Sequence, residues 1–289
     1  MGIARIERLE PGLYFVGTPI GSARDITLRA LDVLASADAL AAEDTRSMRR
    51  LLEIHGVALG DRPLLAYHDH NGAKMRPRLL GLLEQGCSVA YASEAGMPLI
   101  ADPGFDLGRA AAEAGHRVTC APGPSAADTA LALSGLPTDR FLFAGFLPAT
   151  AARRKAALRD LAEIAATLVI YESPRRLAAS LRDAAAVLGG SRPAAVCREL
   201  TKKFEEIRRG TLEELAAAYE AGQVKGEVVV VIGRGEAAPP DAAELEEAVV
   251  RGLETLSVKD TAEAVSRSLG IPKREAYQMA LKLDRERER

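Results

Sequence analysis

Short apolar runs alternate with polar or glycine-rich turns along the first half of the chain. Five runs are each followed by such a turn, and they span residues 13–16, 39–42, 64–67, 87–92 and 117–120. Longer stretches with the apolar spacing of amphipathic helices separate them. Because parallel strands need crossover connections, usually helical, this alternation predicts a mostly parallel sheet covered by helices.

The first of these helices has an apolar stripe with clear helical spacing. Its members are Ile26, Ala30, Val33, Leu34 and Ala37. Aspartate is among the residues preferred at helix N-caps, so we expect Asp25 to cap this helix.

The pattern restarts after a turn at residues 136–140. Apolar runs there predict a helix over 153–165 and strands at 141–143, 167–171, 194–200, 204–209 and 227–232. The third and fourth of these strands are close enough in the chain to pair as antiparallel neighbours. The second half is therefore expected to hold a mixed sheet.

A stretch rich in glycine and proline at 233–240 has the composition of a linker. Beyond it, helical spacing over 258–269 and 273–283 matches a helix-turn-helix, an outline shared with ordinary helical hairpins. Residues 284–289 are charged and predict a solvated tail. We therefore expect an α/β domain with a parallel sheet (1–136), an α/β domain with a mixed sheet (137–235), and a linker with a helical appendage (236–289).

Composition narrows the class of protein. The chain has 289 residues, 48% of them hydrophobic, and a formal net charge of −2, which excludes a globally basic surface. The charge is uneven, since residues 151–210 hold 13 Lys and Arg against 7 Asp and Glu. This local excess is typical of a polyanion-binding surface, and equally of solvated helix faces.

The cysteines and the hydropathy of the chain indicate where in the cell the protein is expected to be. Cys87, Cys120 and Cys197 lie at wide spacing in or beside apolar segments and match no metal-ligand pattern. We expect reduced core cysteines and no bound metal. The sequence has no signal region and no apolar stretch of membrane-spanning length, which predicts a cytoplasmic protein without a membrane partner.

Glycine–proline turns follow two of the strands, at residues 93–104 and 121–126. In an open α/β sheet, ligands bind beyond the carboxyl ends of the strands. Glycine permits close backbone approach and proline fixes the turn. The turn at 17–22 contains a proline where a dinucleotide fold needs G-x-G-x-x-G, and no Walker phosphate loop occurs. These turns predict a small-molecule site lined mostly by backbone.

An ordered series of motifs accompanies these turns. It comprises V-G-T-P-I-G at 16–21, A-E-D-T-R at 42–46, H-D-H-N at 68–71, the turn at 93–104, P-G-P-S at 122–125, Y-E-S at 171–173 and R-E-L-T-K at 198–202. The series resembles the ribosomal RNA small subunit methyltransferase I family, within the tetrapyrrole-methylase-like class of S-adenosylmethionine-dependent enzymes. The resemblance extends over residues 13–233, and the C-terminal helical pair also fits.

The resemblance implies two α/β domains of the tetrapyrrole-methylase type, with S-adenosylmethionine in the cleft between them, and a homodimer. It further implies methylation of the ribose 2′-hydroxyl of a cytidine in the decoding region of 16S ribosomal RNA, within the small ribosomal subunit.

Two turns depart from the family's usual pattern. Where that pattern reads Ser-Asp-Ala-Gly-Thr-Pro, Glu94 and Met97 replace Asp and Thr, and Ser22 stands where the first turn usually has Asn. Glu94 keeps a carboxylate, whereas Met97 lacks a hydroxyl. At Met97 we therefore expect backbone contact with the donor.

The resemblance also implies how the donor is held. Backbone groups of the turns read its polar edges, Glu94 faces its ribose hydroxyls or its amino group, and Tyr171 packs on the adenine. The alternatives are turn geometry alone for Pro19 and core packing for Tyr171. The expected donor-binding set is Pro19, Glu94, Met97, Ser125, Ala126, Tyr171 and Gly226.

Transfer to a ribose hydroxyl requires a poor acid to become a nucleophile, and positioning supplies more of the rate than a base does. Candidate bases are Asp44, His68 and Lys202. A structural ion pair is the alternative for Asp44 with Arg46. We expect a charged cluster around the acceptor, made of Glu43, Asp44, Arg46 and Lys202.

The basic second domain is expected to meet RNA phosphates through Arg153, Arg154, Lys155, Arg175, Arg176 and Lys203. Two other functions remain open. One is methylation of a small tetrapyrrole or corrin-like molecule, which a broad acidic or apolar cleft favours. The other is a non-catalytic, ligand-sensing regulator that binds DNA through the C-terminal helices.

Overall fold

The computed structural model of the protein describes residues 4–101, 103–220, 222–235, 242–269 and 271–287. The chain divides into two units, Met1–Arg234 and Gly235–Arg289, one residue before the expected start of the appendage. Most of the expected linker, residues 236–240, lies outside the described residues, as does Asp102 of the turn at 93–104. None of the helices within the described ranges is long and apolar enough to cross a membrane.

The first half of the larger unit builds a parallel sheet of five strands, as the apolar runs predict. The strand order is β3-β2-β4-β1-β5, and every pair is parallel. The strands are β1 (Gly12–Val16), β2 (Ala39–Ala42), β3 (Leu64–Ala66), β4 (Ser88–Ala92) and β5 (Val118–Ala121).

Helices follow these strands in alternation. They are α1 (Leu28–Ser36), α2 (Thr45–Ile54), α3 (Gly72–Glu84), α4 (Phe105–Glu113) and α5 (Ala126–Ser134). The expected cap of α1 is wrong: Asp25 lies in a 3-10 turn (Ala23–Asp25), and the Thr27 hydroxyl accepts the Ala30 N–H at 3.1 Å. The chain thus makes one more tight turn before the helix begins.

The second half builds the expected mixed sheet, in the order β6-β7-β10-β8-β9. β6 and β7 are parallel, and the other neighbours are antiparallel. The strands are β6 (Phe141–Phe146), β7 (Thr167–Glu172), β8 (Pro193–Arg198), β9 (Glu206–Thr211) and β10 (Val228–Ile232). Its helices are α6 (Ala151–Ala162), α7 (Leu177–Leu188) and α8 (Leu212–Glu220).

One apolar cluster joins the two halves. Ala127, Ala130 and Leu131 of α5 pack with Val169 of β7 and Val231 of β10. Helix α5 contacts β7, β8, β9 and β10, although it precedes the expected boundary at residue 136. The last helix of the first half therefore belongs by packing to the second sheet.

The smaller unit contains three helices in its described part: α9 (Ala242–Leu253), α10 (Val258–Leu269) and α11 (Lys273–Arg287). The sequence predicts only the last two, and α11 continues through residues expected to form a tail. The unit has its own buried core, made of Leu245, Val249, Ala262, Val265, Ile271, Ala276, Ala280 and Leu283.

A buried ion pair joins α6 to α7. The Arg154 side chain is only 5% exposed, and its Nε and Nη2 lie 2.8 and 2.6 Å from Asp183 Oδ2. Its Nη1 donates to the Ala149 carbonyl at 3.1 Å. This placement corrects the expectation that Arg154 meets RNA phosphates, because a guanidinium buried among these partners does not reach a ligand.

Arg154→Ala is expected to lower the free energy of unfolding by about 3 kcal/mol, because breaking a buried pair strands the remaining charge. Urea denaturation measures this, and Arg153→Ala, at the exposed neighbouring position, should change the value by less than about 0.5 kcal/mol. Equal effects of the two substitutions would show that the pair does not stabilise the fold.

Candidate active site

A cleft of about 600 Å³ lies where the two sheets of the larger unit meet. Its first side consists of the turns that follow β1, β2, β4 and β5, at the carboxyl ends of parallel strands. Its second side consists of the ends of β6, β7 and β8 and the start of β10. The cleft is lined by every residue of the expected donor-binding set: Pro19, Glu94, Met97, Ser125, Ala126, Tyr171 and Gly226.

Three backbone turns form the base of the cleft through close contact. A Cβ added to Gly17 would lie 2.7 Å from the Gly123 Cα, so only glycine fits this approach. Thr18 and Gly96 exchange reciprocal backbone hydrogen bonds of 2.9 and 3.1 Å. Gly96 has a φ of +82°, a left-handed conformation that favours glycine. The glycine residues of these motifs are therefore needed for the packing of one turn on another.

Met97 takes part in the same contact. Its Sδ accepts the Gly123 N–H at 3.2 Å and lies against Gly17. The thioether, which replaces the family's usual threonine hydroxyl, thus links the turn after β4 to the turn after β5. Its side chain is engaged by the Gly123 N–H, and contact of the Met97 backbone with the donor stays a prediction.

Carboxylates line the first side of the cleft. Glu94 Oε1 accepts the Ser47 hydroxyl at 3.3 Å, and Glu43 Oε2 accepts the Glu94 backbone N–H at 3.1 Å. Ser47 lies in the first turn of α2, so this helix orients the Glu94 side chain. The predicted site residues Glu43 and Glu94 are thus brought together.

Lys202 lies on the second side, held between two carboxylates. Its Nζ is 3.1 Å from Glu199 Oε1 and 2.9 Å from Glu227 Oε2. Glu199 Oε1 also accepts the Glu227 N–H at 3.0 Å. Burial alone would lower the pKa of Lys202, but hydrogen bonds to Glu227 and Glu199 and their negative charges raise it above its ordinary value. Lys202 is therefore protonated near neutral pH.

Glu199 is a site residue that sequence reasoning missed. Its own φ is +51° and that of Thr201 is +62°, so the turn after β8 is strained. A Cβ at Gly226, where φ is +90°, would overlap the Glu199 carboxylate. In the sequence, Glu199 is marked only by its position inside the R-E-L-T-K motif at 198–202, and the motif does not indicate what the glutamate does.

Asp44 and Arg46 occupy a neighbouring groove and not the cleft itself. Asp44 is the N-cap of α2, and its Oδ1 accepts the N–H groups of Arg46 and Ser47 at 2.7 and 3.3 Å. Arg46 Nη2 lies 3.0 Å from Asp44 Oδ2. The Arg46 side-chain and backbone hydrogen bonds lower the pKa of Asp44 to about 2. The expected four-residue cluster is thus divided between two adjoining spaces.

His68 lines neither the cleft nor the groove. Its backbone N–H donates to Asn71 Oδ1 at 2.9 Å, at the start of α3, and its ring lies 6.0 Å from that of His70. Of the three candidate bases, His68 is the one that the fold does not bring to the cleft or to the groove beside it.

An aromatic group borders the second side of the cleft. The Tyr171 ring meets Phe143 and Phe146 edge to face, at centroid distances of 4.8 and 5.7 Å. Phe146 is 58% exposed and lines the cleft. The strand predicted at 141–143 ends before Phe146. In the structure β6 continues past Gly145, and Phe146 is its last residue. The Tyr171 and Phe146 rings therefore offer the cleft an aromatic surface on which a planar ring of a ligand can pack.

The basic residues of the second domain divide into two groups. Arg153, Arg175 and Lys203 are exposed. Arg176 instead binds Glu172 Oε1 at 2.7 Å, and Lys155 Nζ lies 3.4 Å from Asp183 Oδ1. The first group is available to a polyanion, whereas the second is engaged within the fold.

The cleft fits a cationic nucleoside of the size of S-adenosylmethionine. Its volume falls within the usual range of about 300–1,000 Å³ for small-molecule sites. Its charged lining comprises Glu43, Glu94 and Glu227 against Lys202, because the Glu172 carboxylate is buried and paired with Arg176. This excess of carboxylates suits a sulfonium cation. The seven residues of the expected donor-binding set are those that would hold it.

Family comparisons agree with this architecture. Residues 12–216 match the family model described as Tetrapyrrole (Corrin/Porphyrin) Methylases, and residues 239–284 match the RsmI C-terminal HTH domain. Uroporphyrin-III-C-methyltransferase from Thermus thermophilus has 23% identity and a TM-score of 0.56, covering 78% of this chain and 94% of its own. Diphthine synthase has 18% identity and a TM-score of 0.58, covering 76% and 89%. These likenesses confirm the fold.

Relatives of higher identity cover nearly the whole chain. Ribosomal RNA small subunit methyltransferase I of Mesorhizobium japonicum is 46% identical over 95% of this chain and 93% of its own length. The protein of that name from Mycobacterium tuberculosis is 45% identical, with 95% and 96% covered. The acidic cleft at the strand ends and these matches together show that the chain belongs to the ribosomal RNA small subunit methyltransferase I family of the tetrapyrrole methylases.

Proposed function

We propose that the protein transfers a methyl group from S-adenosylmethionine to the ribose 2′-hydroxyl of a cytidine in the decoding region of 16S ribosomal RNA. One observation carries the proposal: residues at the ends of eight separate strands converge on a single acidic cleft that is lined by all expected donor-binding residues. The relatives named ribosomal RNA small subunit methyltransferase I, at 41–46% identity, support the choice of acceptor.

The donor, when bound, supplies an electrophilic methyl group on a positively charged sulfur. The role of this chain is to bind and orient it. Backbone groups of the three packed turns are fixed before binding, because reciprocal hydrogen bonds already hold them. Glu94 adds a carboxylate that Ser47 orients. Tyr171 and Phe146 offer an apolar border for the adenine.

Positioning, not a strong base, is the main contribution that these residues support. Asp44 is a weak base because its pKa is about 2, and Lys202 is protonated because its two carboxylate partners raise its pKa. Holding the hydroxyl in line with the methyl group supplies about 7–11 kcal/mol of such barriers, against a factor of about 10²–10⁴ from a base. Lys202 is thus suited to fix the turn after β8 and to offer positive charge to the acceptor.

The proposed partner is the assembled small ribosomal subunit in the cytoplasm, engaged by a homodimer. The side chains of Arg153, Arg175 and Lys203 are exposed, and within the described part of the chain none of the three forms a buried ion pair, so they are suited to contact phosphates. Arg154 is excluded from this set by its burial.

The acidic lining of the cleft also favours a second candidate, a small-molecule acceptor of the tetrapyrrole or corrin type. The relatives of higher identity count against it, because they match over nearly the full chain, including the C-terminal helical unit. A ligand-sensing DNA-binding regulator without activity is less favoured still, because the relatives that match nearly the full chain are named methyltransferases.

Radiolabelled S-adenosylmethionine incubated with small subunits that lack the modification should label one ribose of 16S ribosomal RNA, which nuclease mapping locates. Lys202→Ala should lower kcat about 100-fold with a smaller change in KM, because the acceptor side of the cleft loses its fixed geometry. Lys74→Ala, an exposed lysine on α3, is the matched control. Absence of label despite donor binding would move the acceptor to a small molecule.

Glu94→Gln is expected to weaken S-adenosylmethionine binding about 10- to 100-fold, because a charge-assisted hydrogen bond contributes about 1.5–3 kcal/mol. Isothermal titration calorimetry measures the effect. Glu84→Gln, at an exposed position of α3, removes the same charge outside the cleft and should bind as the wild type does. Wild-type affinity in Glu94→Gln would remove the carboxylate from the donor site.

The activity lost in Asp44→Asn should be the same factor at about pH 6 and about pH 9. The pKa of Asp44 is lowered to about 2, so its carboxylate is ionised at both values and its contribution is lost only as the pH falls toward that pKa. Initial rates at saturating donor test this. A loss that grows with pH over this range would instead identify Asp44 as a titrating base.

A further inference from the structure

A groove of about 640 Å³ continues from the cleft along α2. The two spaces share Pro19, Gly21, Ser47 and Glu94, so the groove opens directly beside the donor end. One wall is α2, and the opposite wall is the chain after β1. His55 Nε2 donates to the Ala23 carbonyl at 2.9 Å and ties the end of α2 to that opposite wall. The groove is therefore a built feature with two fixed sides.

Charge changes sign along this groove. The Glu94 carboxylate lies at the junction with the cleft, and Asp44, the other carboxylate of the groove, is paired with Arg46. Arg46 and Arg50 line the groove alone, and a spacing of four residues places them on one face of α2. An acidic end suits a cationic donor, and a basic end suits an anionic ligand.

Arg50 keeps its hydrogen-bond donors available. Its side chain is 74% exposed, and among the described residues its one ion pair is with Glu53, at 3.8 Å, longer than a hydrogen bond. Arg46, by contrast, binds the Asp44 cap. Leu51 and the half-exposed Ile54 add apolar surface beside the guanidinium. A phosphate with an attached sugar matches this combination of donors and apolar surface.

We propose that this groove binds the sugar–phosphate backbone of the acceptor RNA strand, with Arg50 donating to a phosphate beside the methylated nucleotide. The inference rests on the proposed function. A ribose 2′-hydroxyl lies between two backbone phosphates, so a ribose presented at the donor end carries a phosphate into the adjoining surface. Arginine is suited to that phosphate because its planar donors match two oxygens at once.

The groove also places RNA contacts on the first domain. Charge counting along the chain points only to residues 151–210, where Lys and Arg are in excess. The sequence around α2 shows no excess of positive charge, because acidic residues lie near its arginines. In the folded chain, however, Arg46 and Arg50 lie on the same side of the helix. The acceptor strand is then held from both α/β domains.

The test is equilibrium binding to small ribosomal subunits that lack the modification, measured by filter binding over a range of salt concentrations. Arg50→Ala should weaken binding about tenfold, the effect of losing one charged hydrogen bond. The slope of log K against log salt should fall by about 0.7–0.9, as expected for one lost phosphate contact. Arg50→Lys should lie between Arg50→Ala and the wild type.

Arg78→Ala provides the matched control, because Arg78 is an exposed arginine of α3 that lines neither space. It should bind subunits as the wild type does. Calorimetry with S-adenosylmethionine should give wild-type affinity for Arg50→Ala, which shows that the fold and the cleft are intact.

The outcomes are separable. Equal binding by Arg50→Ala and Arg78→Ala overturns the groove proposal, and so does a wild-type protein that does not bind subunits. If Arg50→Ala weakens subunit binding but the wild type transfers no methyl group, the RNA contact at Arg50 stands, whereas the proposed function and the placing of that contact beside a methylated nucleotide fail.

Discussion

Close contact between backbone turns is the constraint on which the cleft depends. Gly17 and Gly123 approach so closely that a Cβ on either would overlap the backbone of the other. The paired hydrogen bonds of Thr18 and Gly96, and the bond from Gly123 to the Met97 sulfur, hold the third turn in place. The strand ends are thereby locked before any ligand arrives, which lowers the entropic cost of binding. A site of this kind needs few charged side chains of its own.

The charged groups that are present act mainly on one another. Lys202 is held by Glu199 and Glu227, Asp44 caps α2, and Glu43 accepts the backbone N–H of Glu94. The pKa of Asp44 is lowered to about 2, so its carboxylate accepts a proton poorly, and the pKa of Lys202 is raised, so its amine already holds a proton near neutral pH. This agrees with a reaction in which alignment of two partners contributes more than proton removal. Residue type alone indicates three candidate bases, Asp44, His68 and Lys202. In the fold, none of the three is well suited to accept a proton from the acceptor.

Much of the fold was visible in the sequence because it rests on local patterns. All five strands of the first sheet follow from apolar runs, and the expected donor-binding residues, which the family resemblance implies, all line one cleft. What the sequence does not reveal depends on tertiary partners. Arg154 is indistinguishable from its exposed neighbours until Asp183 is placed beside it. Thr27 and Asp25 are both acceptable caps, and the position of a preceding 3-10 turn decides between them.

Helix α5 has one further consequence. Its apolar face packs on the strands of the second sheet, while its N-terminal turn, at residues 122–125, rests against Gly17 of the first. The contact at that turn therefore helps to set how the first sheet meets α5 and the strands that α5 covers. A residue larger than glycine at position 123 would push this turn away from Gly17, and the displacement would pass through α5 to the second side of the cleft.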